Sequence, residues 1–143
     1  MANKKTIKKQ SGADGPRLKV PETKEVVQDA QYPIFSLHHL RKDYCLSKCI
    51  KDEKAAFADT LHKLSQMKWS DLNQAPKHGI GFEKISRKSF NNVKCIPSHI
   101  TEDVNIIAFR FSGKKAMVGY RDPLDRKLFH IVWLDRDFTL YPH

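Results

Sequence analysis

Long apolar runs, paired cysteines and an acidic surplus are all missing from this chain, and each absence removes a class of protein. No stretch of about 18 apolar residues occurs, so a membrane-spanning helix is not expected. The lysines Lys4, Lys5, Lys8 and Lys9 are followed by no apolar stretch, which speaks against a secretory signal and makes the cytoplasm the expected location. Cysteine is scarce: Cys45, Cys49 and Cys95 make an odd set without a compact framework, as suits reduced thiols. Cys45 and Cys49, with His38 and His39 just upstream, raise the question of zinc. Structural zinc sites in short chains use two close-spaced ligand pairs, and no second pair follows, so the cysteines read as half-buried and neither a metal nor another cofactor is expected. Gly79 and Gly81 are too few to form a phosphate loop.

What is present fits one domain. The chain has 143 residues, 40% of them hydrophobic, enough for one modest core. Its formal charge of +10 favours polyanionic partners through long-range attraction. Residues 1–31 are rich in Lys, Gln, Gly and Pro and read as a disordered basic tail. That tail carries a net charge of only +3, leaving +7 on residues 32–143. The folded part itself is therefore basic, and a nucleic acid is the expected partner.

Along the chain, Pro33 opens a short strand through Ile34, Phe35 and Leu37. Residues 52–67 show the clearest helical period, with Asp52 as N-cap, Glu53 in the first turn, and Phe57, Leu61 and Leu64 on the face turned to the sheet. Trp69 precedes a second, short helix and closes one end of the core. A further strand follows Gly81, and residues 91–98 form a loop. Sustained strand alternation comes last. Ile107, Phe109 and Phe111 share one face of a strand, and Ile106, Ala108 and Arg110 the other; Ala116, Val118 and Tyr120 oppose Met117, Gly119 and Arg121 in the next. Residues 127–135 are apolar on both faces, with Phe129, Ile131 and Trp133 alternating with Leu128, His130, Val132 and Leu134, as in a central strand. A short last strand is expected over 138–141. The predicted architecture is α+β, a short helical layer packed on an antiparallel sheet.

Arg110, Gly113, Lys115, the Tyr120-Arg121 pair, the apolar run 129–134, and the closing Tyr141 and His143 together resemble the RelE/ParE-like superfamily of small bacterial toxins. The closing pattern is also similar to small bacterial proteins of uncharacterised role. The superfamily resemblance implies a metal-independent endoribonuclease acting on mRNA, often on the ribosome, with a cognate antitoxin as a second partner; part of the superfamily acts on gyrase instead. The spacing after Arg110, and lysine at 115, depart from the family pattern.

RNA cleavage through the 2′-hydroxyl needs a base, an acid and cations on the phosphorane. His143, His130, Tyr141 and Arg121 are the catalytic candidates. Arg110, Lys114 and Lys115, with Lys84, Arg87 and Lys88, are the candidates for gripping the RNA backbone. The rival reading is a non-catalytic module that binds nucleic acid or protein within a larger assembly.

Overall fold

The structure, a computed structural model, describes residues 29–77 and 79–142. All but the last three residues of the predicted tail lie outside the described residues, as do His78 and His143. No helix among the described residues is long and apolar enough to cross a membrane.

The fold is α+β. Strand β1 (Ile34–Ser36) is followed by helix α1 (Lys51–Ser65), the short helix α2 (Trp69–Gln74), and then β2 (Phe82–Ile85), β3 (Ile106–Ser112), β4 (Lys115–Arg121) and β5 (Leu128–Asp135). They make one five-stranded sheet in the order β1-β5-β4-β3-β2. Strands β2 to β5 pair antiparallel, as expected, but the sheet is mixed because β1 runs parallel to β5, Ser36 lying opposite His130. A parallel neighbour far along the chain leaves no mark on local periodicity.

Helix α1 begins one residue ahead of the expected cap. Glu53 reaches back to the N–H of Ile50 at 2.8 Å and satisfies one of the open donors of the first turn, so Asp52 lies inside the helix. Phe57 and Leu64 are buried and Leu61 partly so, as the helical spacing predicts. They pack with Trp69 and Leu72 against Phe109, Met117, Phe129 and Ile131 on one face of the sheet. The other face is covered as well. Phe90 and Ile100, from the long connection between β2 and β3, join Leu140 and Tyr141 in covering Ala108, Val118, Tyr120 and Trp133.

Trp133 breaks the predicted alternation. Val118 pairs with Trp133 and Gly119 with Ile131, so Val132 is an extra residue in β5, and Val132 and Trp133 both join the second core. Such a bulge resets the two-residue period. Nor is there a strand over 138–141. That segment is an irregular hook: the fully buried Asp135 accepts the N–H groups of Thr139 at 3.0 Å and Leu140 at 3.2 Å, and Phe138 adopts φ 60°. Bonds from the Asn91 backbone to Leu140 O and from the Asn91 side chain to Thr139 O fasten the hook beneath the long connection.

Candidate functional site

The catalytic candidates do not meet on one surface. Arg121 ends β4 on the helical side, 7% exposed, with its guanidinium 4.1 Å over the Trp69 ring. It donates to Asp29 Oδ1 and to the carbonyl of Arg126, both at 2.7 Å. His130 lies on the opposite face, also 7% exposed. Tyr141 is a core residue beside Phe90, and burial pushes its hydroxyl well above the ordinary tyrosine range. Arg121 and Tyr141 are thus structural in kind. Alternation had placed Arg121 and His130 on particular sides of their own strands but carried no information on what would cover each side.

The RNA-binding candidates are also dispersed. Lys115 pairs with the buried Glu53 at one end of the sheet, beside the exposed Lys114. Arg87 donates to the carbonyls of Ile100 and Thr101 and so pins the long connection. Lys84 stands exposed on the edge strand, at the end of the sheet that carries Arg121. Lys88 is exposed and Arg110 half-buried.

What the fold does assemble is a histidine cluster. After β1, the chain crosses to the face opposite the helices, where the Arg41 N–H bonds Val132 O at 2.8 Å and carries His38 and His39 against the sheet. The His39 ring sits 4.3 Å from His99, 5.0 Å from His130 and 4.7 Å from His38, centroid to centroid. His99 comes from the long connection and also lies 5.9 Å from Tyr120, whose ring is 4.9 Å from His130. The set is graded in depth: His38 and His99 are exposed, His39 is half-buried and His130 is buried. Beside it runs a groove of about 420 Å³ whose walls include His38, His39, His99, Arg41, Lys42 and Trp133.

A carboxylate holds the deep end. His130 Nε2 is 2.9 Å from Asp122 Oδ2, while the buried Nδ1 has no hydrogen-bond partner among the described residues. Asp122 is itself fixed, because its other oxygen accepts the N–H groups of Leu124 and Asp125 at 2.8 and 3.0 Å. The hydrogen bond with His130 holds the Asp122 carboxyl below its ordinary range. Burial, followed by the neighbouring His99, His130 and His38 rings, pushes the His39 imidazole below the usual histidine range, and Asp122 pulls weakly the other way. His39 is therefore neutral at pH 7 and able to accept a proton. The described residues contain no group of three His, Cys, Asp or Glu side chains placed to hold a metal ion. Cys49 is buried and Cys45 half-buried, and the two flank one single-turn helix, Leu46–Lys48.

Asp122→Asn keeps the turn bonds and removes the charge facing His130. It should lower stability by about 1–2 kcal/mol at pH 7. A carboxyl whose pKa is depressed by folding stabilises above its unfolded pKa, here near 3.8, and loses that contribution below it. Urea denaturation at pH 7 and pH 3 should accordingly show the variant's deficit shrinking in acid; an equal deficit at both would contradict this role.

Of this cluster, sequence reasoning reached only His130 as a site residue. The His38-His39 doublet was visible, but as a metal question, and His99 carried no signal because its partners are distant along the chain. Comparison of the chain with family models, with curated proteins and with solved structures finds no match.

Proposed function

We propose that the protein is a metal-independent endoribonuclease whose acid and base are histidines of this groove. The observation that carries the reading is the row of adjoining rings His99, His39 and His130, graded from solvent to interior and anchored by Asp122. His39, neutral at pH 7, takes the proton of a ribose 2′-hydroxyl. The oxygen attacks the adjacent phosphorus, the bond to the 5′-oxygen breaks, and His99 supplies that oxygen with a proton. The products are a 2′,3′-cyclic phosphate and a free 5′-hydroxyl. Arg41 and Lys42, on the groove wall, meet the charge that builds on the phosphorane. The basic balance of the chain supports RNA as substrate. An mRNA target on the ribosome and a neutralising antitoxin follow as proposals from the resemblance of residues 109–141 to the RelE/ParE-like toxins.

The test is cleavage of end-labelled single-stranded RNA, with and without ribosomes, in the presence of a chelator. Cyclic-phosphate ends are expected, and His39→Ala and His99→Ala should each slow cleavage by about a hundredfold or more. Cleavage that the chelator abolishes, or that survives both substitutions, rules the mechanism out. The burial of Arg121 and His130 on opposite faces favours a second reading, a non-catalytic RNA- or protein-binding module. RNA retention that weakens with salt, without any cleavage, would select it.

A further inference from the structure

On the helical side, at the end of the sheet that carries Arg121, a second cavity of about 350 Å³ opens. Its walls come from distant parts of the chain: Asp29, Phe82 and Lys84 of β2, Asn105 ahead of β3, and Arg121 and Arg126 around the β4–β5 connection, with Ile107 of β3 also lining it. Arg121 is a fixed pillar, set over Trp69 and bonded to Asp29 and to the Arg126 carbonyl. Asn73 steadies the same acid, its amide donating to Asp29 Oδ2 at 3.0 Å. The one carboxylate of the cavity is thereby committed to the protein.

The remaining polar groups are not. Among the described residues, the Lys84 ammonium, the Arg126 guanidinium and the Asn105 amide have no hydrogen-bond or ion-pair partner. Lys84 on β2 pairs with Ile107 of β3, and Arg126 lies beyond β4, so two uncommitted cations line the cavity together with an apolar floor. Phe82 forms part of that floor. It is half-buried and held edge-on to Phe109 at 5.4 Å and Trp69 at 6.5 Å, a braced aromatic ring with a side turned to the cavity. Spare positive charge, a rigid ring and an amide in a concave site of this size match an anion that carries a flat heterocycle.

We infer that this cavity binds a phosphorylated nucleoside, with Lys84 and Arg126 on the phosphate, Phe82 against the base and Asn105 on a base edge. The occupant is either a free mononucleotide or the terminal nucleotide of an RNA, which share this chemistry. Because the cavity is on the other face of the sheet from the histidine groove, the inference stands apart from the cleavage reading.

Titration of the full chain with adenosine 5′-monophosphate, adenosine and inorganic phosphate, followed by the Trp69 indole N–H in ¹H–¹⁵N spectra, tests it. That N–H bonds Lys127 O at 3.0 Å beside Arg121 and should report on the site. The nucleotide should bind at least about tenfold more tightly than either fragment. Lys84→Glu with Arg126→Glu should remove binding while the melting temperature stays near that of the wild type, and His99→Ala should leave binding unchanged. Competition of a 5′-phosphorylated oligoribonucleotide with the mononucleotide identifies an RNA end as an occupant; absence of competition assigns the site to the free nucleotide. No response at millimolar nucleotide, equal binding of adenosine or phosphate, or binding that survives the double charge reversal would overturn the inference.

Discussion

Gly119→Ala should unfold the protein or lower its stability by more than about 3 kcal/mol, the heaviest penalty expected of a methyl group added at any described glycine. A Cβ at Gly119 would lie 1.8 Å from the carbonyl oxygen of His130 and 2.9 Å from its carbonyl carbon. Both atoms are backbone of β5, held in the ladder next to the Val132 bulge, so neither can rotate away. Relief requires parting the two central strands, which would break hydrogen bonds between them and displace His130 from Asp122. Gly113→Ala is the control. Gly113 lies in open space in the β3–β4 turn at φ 60°, so its substitution meets only backbone strain and should cost about 1 kcal/mol. Denaturant midpoints of the two variants would decide the matter; comparable losses would mean that close strand approach at Gly119 is not what the position requires.

Glu53→Gln is the second large effect, and it depends on pH. Glu53 is 2% exposed and holds three donors: the Ile50 N–H at the start of α1, Lys115 at the start of β4, and Arg136 Nε at 2.7 Å just past β5. The Arg136 and Lys115 bonds outweigh burial and lower its pKa from 4.5 to about 2. One carboxylate thus ties the helix to the sheet at two strand ends. Glutamine retains the shape but cannot balance two cations. Since Lys115 and Arg136 are 30% and 26% exposed, each can partly recover water, and the cost should be about 2–3 kcal/mol, below the ~3–5 kcal/mol of a fully buried broken pair. For a domain of this length that corresponds to roughly 10 °C in melting temperature. The folded pKa lies below the unfolded one, so the charge contributes fully above about pH 4.5 and progressively less as pH falls toward 2. Melting curves of wild type and variant should converge over that window. A gap that persists at pH 2 would show that packing, not charge, accounts for the loss.

These two positions show how unevenly the structure could be read in advance. The helix over residues 51–65 was legible because Phe57, Leu61 and Leu64 recur at its period, and burial on one face is a local property of the chain. Strands β3 and β4 were legible for the same reason, down to the sides taken by Phe109 and Tyr120. The Val132 bulge was not, because one inserted residue leaves the composition of an apolar run unchanged while moving Trp133 to the other face. Tyr141 looked catalytic at the end of a supposed strand. Capping by Asp135 turns that end into a hook that buries it instead.

Residue order alone determined that the chain has a basic balance, a helix with one apolar face, and successive alternating strands in its last third, since charge and periodicity are sums over neighbours. The pairing of β1 with β5, the enclosure of both sheet faces, and the meeting of His39, His99, His130 and Asp122 were decided only by the tertiary structure. Those contacts join segments far apart in the chain, and their free energy comes from desolvating both partners together, which no local pattern encodes.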